Sequence, residues 1–273
     1  MLEQYKLVIF DLDGTLYEGT DHFDYYAEHL KQKVEESQQE LFDQEYSQMK
    51  AGKHPVKIGK AYDVARDLIL TIDPMTLLVT EACKWDGEVL SKEETNNLYN
   101  ERLSFDFESM IAIGDGWWLP FVAAKHFGVE DCYSSYIATK EFMVSSDFQL
   151  DPLPGLKEAL QDLKTKTKMV LVTNSDADDV GRLLNELELT QLFEEVVTSA
   201  KKPTHTTRIF NELIEKYQVN EKDVISIGDN FINDVAPAIL QGMQGVYIHP
   251  KREKITNKSV QVVSTVLECF PKS

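Results

Sequence analysis

Two acidic residues separated by one position give the first indication of chemistry in this sequence. Asp11 and Asp13 lie in the segment Asp11-Leu12-Asp13-Gly14-Thr15, directly after an apolar run at 6–10. Residues two positions apart in an extended segment project to the same side, and glycine allows the backbone to turn tightly beside a ligand. One carboxylate can attack a phosphorus atom as a covalent nucleophile while the other transfers protons. Asp11 is therefore the candidate nucleophile, and Asp13 is the candidate general acid and base.

Three further polar segments carry residues that suit the same chemistry. They are Thr173-Asn174-Ser175, Lys202-Pro203, and Gly228-Asp229 followed by Asp234. A hydroxyl group next to the amides that begin a helix can hydrogen-bond phosphate oxygens, which makes Thr173 and Asn174 candidate phosphate-binding residues. An alternative for the first segment is that it only caps the helix predicted from residue 176.

The charges of these residues require compensating cations. Ionised Asp11, Asp229 and Asp234 total −3, and a bound phosphate dianion makes the cleft still more negative. Mg²⁺ prefers hard oxygen ligands, which Asp11, Asp229 and the main-chain carbonyl of Asp13 can supply. Lys202 adds one positive charge and is expected to contact both Asp11 and the phosphate, while Asp234 either holds a metal-bound water or orients Lys202.

The elements that must position these residues alternate between strand and helix from about residue 150 onward. Helical spacing predicts helices over 154–166, 176–187, 207–217 and 235–241, and apolar runs predict strands over 6–10, 168–173, 193–198, 223–228 and 245–248. This alternation predicts an α/β fold with a doubly wound, parallel-sheet, Rossmann-like core, whose ligands bind at the carboxyl ends of the strands. The four polar segments each follow a predicted strand, so they are expected to meet at that edge.

Residues 18–147 differ in character and are most simply an inserted, mainly helical domain, which leaves 1–17 and 148–273 for the core. The insertion holds Trp117 and Trp118 in the stretch 114–120, whose glycines and proline predict a loop. Two adjacent side chains point in different directions, so we expect one tryptophan to pack within the insertion and consider a substrate contact for the other. Asp115 in the same stretch imitates the local pattern of Asp229, but no acid follows at the matching distance, and we do not assign it to the metal.

The order and placement of the four polar segments resemble the haloacid dehalogenase-like (HAD) superfamily of phosphohydrolases. The resemblance covers the whole chain, and it implies that the insertion is a helical cap of the C1 type. It also implies a Mg²⁺-dependent phosphatase that acts on a small phosphorylated metabolite, because a cap would enclose the site. Dehalogenases of this family lack an acid at the position of Asp13, so carbon–halogen cleavage is disfavoured, whereas a phosphosugar mutase remains an alternative.

The candidate lysine departs from the family pattern. A glycine commonly precedes this lysine, whereas Lys201 stands there, and His205 replaces a common second proline. The neighbouring Pro203 favours Lys202, with Lys201 as the fallback.

Composition excludes several other classes of protein. The 273 residues carry a net charge of −18, which repels nucleic-acid polymers and anionic membrane surfaces. No apolar run approaches the ~20 residues of a membrane span, and the N-terminus lacks a signal-peptide pattern, so we expect a cytoplasmic protein. Cys83, Cys132 and Cys269 are too scattered for a disulfide framework or a zinc site. Oligomeric state is not readable from the sequence.

Two non-enzymatic alternatives use a similar set of residues. An interaction protein or phospho-acceptor could retain the fold, but every chemical position holds a competent residue. A receiver domain of two-component signalling also combines acids, a hydroxyl, a lysine and Mg²⁺ on a doubly wound sheet, but it has no large insertion after its first strand. Turnover of an aryl phosphate separates the enzyme from both.

Overall fold

The chain divides into two units, one of which is inserted into the other along the sequence. The structure is a computed structural model that describes residues 1–143, 145, 147–148, 150, 152–249 and 255–271. One unit comprises Met1–Gly19 and Leu150–Ser273, and the other comprises Thr20–Gln149. The borders predicted from the sequence, 17/18 and 147/148, each lie two residues earlier in the chain.

After the first strand, β1 (Leu7–Phe10), the chain enters the inserted unit, which combines helices with an antiparallel sheet. Its helices are α1 (Asp21–Lys31), α2 (Gln39–Lys50), α3 (Lys92–Leu98), α4 (Trp118–His126) and α5 (Tyr133–Met143), and its strands are β2 (Ala61–Asp63), β3 (Leu68–Ile72), β4 (Val79–Lys84) and β5 (Met110–Ala112). The strands pair in the order β4-β3-β2-β5. Helical residues outnumber strand residues, but the expectation of a mainly helical insertion missed this sheet, because strands of three to six residues leave little periodicity.

The tryptophan stretch of the insertion is only partly the loop that the sequence predicted. Helix α4 begins at Trp118, so Pro120 lies in its first turn, where a missing amide hydrogen removes no hydrogen bond. The Asp115 carboxylate accepts a hydrogen bond from the Trp117 amide at 2.9 Å and forms a local turn just before the helix. Trp117 and Trp118 are both partly buried, and both pack against the apolar core of the insertion.

The core unit is built on a six-stranded sheet with the order β10-β9-β8-β1-β6-β7, in which each pairing is parallel. This confirms the predicted doubly wound core. The further strands are β6 (Lys168–Val172), β7 (Glu195–Val197), β8 (Val224–Gly228), β9 (Gln244–Ile248) and β10 (Val260–Val263), and the helices are α6 (Leu156–Lys164), α7 (Ala177–Glu186), α8 (Thr206–Tyr217) and α9 (Ala236–Leu240). The four-residue strand β10 was not predicted. Within the described residues, no helix combines the length and apolarity that a membrane crossing needs.

Strand β1 lies between β8 and β6 and places its carboxyl end at the centre of the sheet. Its four residues, Leu-Val-Ile-Phe, are buried, as expected for a strand covered on both faces. Phe10 is paired with Leu171 of β6 and with Ile227 of β8. The residues that follow these three strands therefore emerge side by side at one edge.

Candidate active site

The structure brings together the polar segments that the sequence singled out. The segments beginning at Asp11, Thr173 and Asp229 directly follow β1, β6 and β8. Lys202 lies in the turn after β7, where the Ala200 amide donates to the Thr173 carbonyl at 3.0 Å. All of these strands are parallel, so the four segments lie at one edge of the sheet, where ligands bind in open α/β sheets.

Lys202 bridges two buried carboxylates. Its Nζ atom lies 2.7 Å from Asp11 Oδ1 and 2.6 Å from Asp234 Oδ1, and only 2% of the residue is exposed. Burial lowers the pKa of this lysine, but the charges of Asp11 and Asp234 outweigh burial and raise its pKa above the ordinary value, so Lys202 stays protonated. The predicted contact between Lys202 and Asp11 is thus present, and of the two roles considered for Asp234 the geometry matches the orientation of Lys202.

Lys201, the fallback for this role, is exposed. Its φ of 53° lies in the left-handed region, which glycine adopts without the steric strain of a Cβ atom. Lys201 therefore has a backbone conformation that glycine would adopt more easily. The next residue, Lys202, is the buried one.

Three acids converge at this edge. Asp11, Asp229 and Asp234 each offer a carboxylate oxygen, and these oxygens lie within 4.8 Å of one another. Asp234 Oδ2 is buried without a hydrogen-bond partner among the described residues, and burial raises the pKa of Asp11 to about 8 and also raises that of Asp234. Clustered, incompletely satisfied carboxylates are a donor set that fits a hard divalent cation.

Two glycines make room for these acids. Gly14 has a φ of 67°, and a Cβ atom there would overlap the Asp229 carboxylate. A Cβ atom on Gly228 would likewise overlap the carboxylate of Asp234. Asp229 and Asp234 therefore lie closer to the backbone at Gly14 and Gly228 than they could if either glycine were another residue.

The carboxylate of Asp13 accepts a hydrogen bond on each oxygen. The Tyr17 hydroxyl donates to Oδ1 at 2.5 Å, and the Ser175 hydroxyl donates to Oδ2 at 3.0 Å. Neither donor was assigned from the sequence: Ser175 is 162 residues from Asp13, and Tyr17 only ended a motif.

The second polar segment joins the site to the lysine turn. Asn174 bonds the main chain of Lys202 twice: its side-chain oxygen accepts from the amide at 2.7 Å, and its side-chain nitrogen donates to the carbonyl at 3.1 Å. The hydroxyl of Thr173 accepts from the Ser175 amide at 3.1 Å and can still donate its own proton. The capping alternative is wrong, because Asp176 caps α7 by accepting from the Asp179 amide.

Comparisons with known protein sequences match this chain to haloacid dehalogenase-like hydrolases. A family model described as haloacid dehalogenase-like hydrolase matches residues 5–242. Haloacid dehalogenase-like hydrolase domain-containing protein 3 of Xenopus laevis is 28% identical over 144 residues, which are 50% of this chain and 58% of that protein, less than two thirds of its length.

Two solved structures resemble the chain over most of its length. The putative HAD-hydrolase YfnB from Bacillus subtilis, bound to magnesium, has a TM-score of 0.54 at 14% identity, and the match covers 97% of each chain. A haloacid dehalogenase-like family hydrolase from Xanthomonas campestris has a TM-score of 0.48 at 17% identity and covers 96% of this chain and 88% of its own. At 14% identity, the likeness to the first of these shows the fold alone.

Proposed function

Because this chain belongs to the haloacid dehalogenase-like hydrolases, we propose that it is a Mg²⁺-dependent phosphatase that hydrolyses a small phosphorylated metabolite through an aspartyl-phosphate intermediate. The observation that carries this proposal is the buried ammonium group of Lys202 between Asp11 and Asp234, with Asp229 beside them. This arrangement surrounds the carboxylate of Asp11, which follows β1, with one positive charge and further negative charges. It suits the binding of a phosphoryl group next to a nucleophile.

In the first step, a carboxylate oxygen of Asp11 attacks the phosphorus atom, and the bond between phosphorus and the leaving oxygen breaks. The leaving oxygen takes a proton from Asp13 and departs as an alcohol. In the second step, a water molecule attacks the phosphorus atom and gives a proton to Asp13. The bond between phosphorus and Asp11 then breaks, which releases inorganic phosphate and restores the Asp11 carboxylate.

The acidic cluster supports a role for Mg²⁺. Asp11, Asp229 and the main-chain carbonyl of Asp13 would hold the ion, with Asp234 alongside. When bound, Mg²⁺ supplies positive charge that stabilises the developing charge on the phosphoryl oxygens. The raised pKa of Asp11, about 8, supports the need for a cation, because a protonated carboxyl is a poor nucleophile.

Residues near the phosphoryl position complete the proposal. Thr173 would donate its hydroxyl proton to a phosphate oxygen, and Lys202 would neutralise part of the phosphate charge. Asn174 remains a candidate phosphate contact, and its two bonds to the main chain of Lys202 give it a second function in holding the lysine turn.

The type of reaction follows from Asp13. An acid at this position can protonate an alkoxide leaving group, whereas a halide leaving group does not need a proton. A phosphosugar mutase would use the same residues and return the phosphoryl group to a substrate hydroxyl. The net charge of −18 favours a small substrate over a nucleic-acid polymer or a membrane surface.

The test is a screen of phosphorylated metabolites with detection of inorganic phosphate, in parallel with p-nitrophenyl phosphate. Asp11→Asn keeps the side-chain shape and removes the nucleophile, so we expect unchanged circular dichroism and loss of essentially all turnover. Beryllium fluoride, which mimics a phosphoryl group on an aspartate, should inhibit only the wild type. EDTA should abolish activity, and added Mg²⁺ should restore it.

Asp223→Asn is the matched control for Asp11→Asn. Asp223 pairs with Lys6 at 2.9 Å just before β8 begins, at the amino edge of the sheet. The same chemical change there should leave turnover intact. More than a few per cent of wild-type turnover in pure Asp11→Asn protein, or full activity after chelation, would contradict the proposed mechanism. Release of an isomerised phosphosugar without inorganic phosphate would point to the mutase.

A further inference from the structure

The carboxylate of Asp13 is held from both sides, which goes beyond what a proton-transfer residue requires. Tyr17 donates to one oxygen at 2.5 Å and Ser175 donates to the other at 3.0 Å. Each carboxylate oxygen has two lone-pair positions. Two donors therefore fix the plane of the carboxyl group and still leave a position on each oxygen for the proton that is transferred.

Tyr17 is itself firmly placed. Its side chain is buried, and its main chain forms isolated β-bridges with Asp13 and with Pro152. Tyr17 thus lies where the chain leaves the core unit and contacts the segment that returns to it.

Ser175 approaches the acid from a different element. It follows β6, where its amide donates to Thr173 Oγ1 at 3.1 Å and its carbonyl accepts from the Ser199 amide at 2.8 Å. These two bonds immobilise the backbone that carries the hydroxyl. The two donors to Asp13 thus come from segments more than 150 residues apart, each fixed by its own main-chain contacts.

We propose that Tyr17 and Ser175 are positioning residues that hold Asp13 in line with the leaving oxygen of the substrate. The inference rests on the proposed function, in which Asp13 protonates that oxygen. A carboxyl group that rotates freely spends less time within hydrogen-bond reach of the leaving oxygen, and general acid catalysis requires that reach. Removing either hydroxyl should therefore impair the step in which the leaving group departs.

The dependence of rate on the leaving group separates positioning from a general structural role. Phenyl phosphate and p-nitrophenyl phosphate have nearly the same shape, but p-nitrophenolate departs with little need of a proton. The experiment measures kcat/KM, which reports the steps up to the first irreversible one and so includes departure of the leaving group. Damage to the fold or to Mg²⁺ binding lowers kcat/KM for both substrates alike, whereas a misplaced acid changes their ratio.

For Tyr17→Phe and Ser175→Ala we expect kcat/KM for phenyl phosphate to fall by about 10-fold, which is a part of the roughly 10²–10⁴-fold that acid–base catalysis contributes. The value for p-nitrophenyl phosphate should fall by less than about 3-fold, because its leaving group has little need of a proton. Ser175→Thr keeps a hydroxyl group and should recover most of the loss. Asp13→Asn sets the upper limit, with the largest change in the ratio.

Tyr217→Phe is the matched control. The Tyr217 hydroxyl also donates to a carboxylate, Glu195 Oε2 at 3.3 Å, but Glu195 begins β7 and lies at the opposite edge of the sheet. The substrate ratio of this variant should equal that of the wild type. If Tyr17→Phe and Ser175→Ala both keep the wild-type ratio while Asp13→Asn changes it, the positioning role is wrong and the proposed function stands; Ser175→Ala alone decides if Tyr17→Phe does not fold. If Asp13→Asn also keeps the ratio, the assignment of Asp13 as the acid fails instead.

Discussion

Replacing Lys202 with methionine should destabilise the metal-free protein by an amount that grows with pH. The variant keeps most of the apolar stem but removes the ammonium group that donates to Asp11 and Asp234 at 2.7 and 2.6 Å. Leaving buried acceptors without a donor costs about 1–3 kcal/mol, so we expect a loss of about 2 kcal/mol in the free energy of unfolding at pH 6.

The pH-dependent part follows from proton linkage. Burial raises the pKa of Asp11 to about 8 in the wild type, and Lys202 opposes that rise. Without the lysine, the carboxylates of Asp11 and Asp234, whose oxygens lie within 4.8 Å of one another, repel by about 3 kcal/mol at an effective dielectric constant of about 20, so the pKa of Asp11 rises further. A carboxyl group whose pKa is higher in the folded state makes folding less favourable as pH rises toward that pKa.

The two proteins should therefore diverge as pH passes through about 8, where the wild type releases a proton that the variant still binds. The pKa of Lys202 lies above its ordinary value, so the wild-type ammonium contributes fully throughout this range. A proton bound in one protein and absent from the other changes stability by about 1.4 kcal/mol per pH unit. We expect the difference between the two proteins to grow by about 1 kcal/mol between pH 6 and pH 9.

Urea unfolding with EDTA at pH 6, 8 and 9 measures this difference. Lys201→Met is the control: Lys201 is exposed, so its effect should stay within about 0.5 kcal/mol at every pH. A Lys202→Met penalty that is constant with pH, or that shrinks as pH rises, would refute the electrostatic reasoning. A penalty equal to that of the control would show that Lys202 is not the buried bridge.

Three further predictions follow from local geometry. Gly14→Ala should lower the free energy of unfolding by about 1–2 kcal/mol, because alanine is strained at a positive φ. Its Cβ atom would also displace Asp229, so the Mg²⁺ concentration needed for half-maximal activity should rise. Lys201→Gly relieves the strain of a positive φ at a smaller entropic cost, so urea unfolding should show a gain of up to about 1 kcal/mol with unchanged turnover. Trp117 packs against four aromatic rings and Trp118 against two, so Trp117→Leu should lower the melting temperature more than Trp118→Leu, and equal losses would contradict this packing.

The core was predictable from the sequence because β1, β6 and β8 are buried apolar runs, and each of them is followed directly by a polar segment. The sheet of the insertion was not, because it uses very short strands such as β2 and β5, with three residues each. Strand β5 pairs with β2 from a distant part of the chain, and tertiary packing rather than a local pattern selects strand there. Strand β10 was missed because it is also short, a strand of four residues that is only partly buried.

Among the site residues, the types and spacing of the acids were sufficient to propose a cluster, but not to show what holds it. The two bonds of Asn174 to the main chain of Lys202 depend on a turn that brings together residues 28 positions apart. Likewise, a serine in a loop has many possible partners, and nothing local to Ser175 indicates Asp13. Residues that act on substrate can be recognised in the sequence from their residue types and spacing. Residues that position them, such as Ser175, are recognised only from interatomic distances in the structure.

The two glycines of the site show how one residue type carries two different constraints. Gly14 has a left-handed φ. The local pattern of acids and glycine already predicts a turn there, because Asp and Gly are typical turn residues. Gly228 ends the strand β8 without a left-handed φ, so its backbone conformation is open to any residue. What excludes a side chain there is the carboxylate of Asp234, which occupies the space of the missing Cβ atom. The glycine before Asp229 is therefore required by the acid that follows six positions later, and the glycine and that acid together form one steric unit that brings a buried carboxylate up to Lys202.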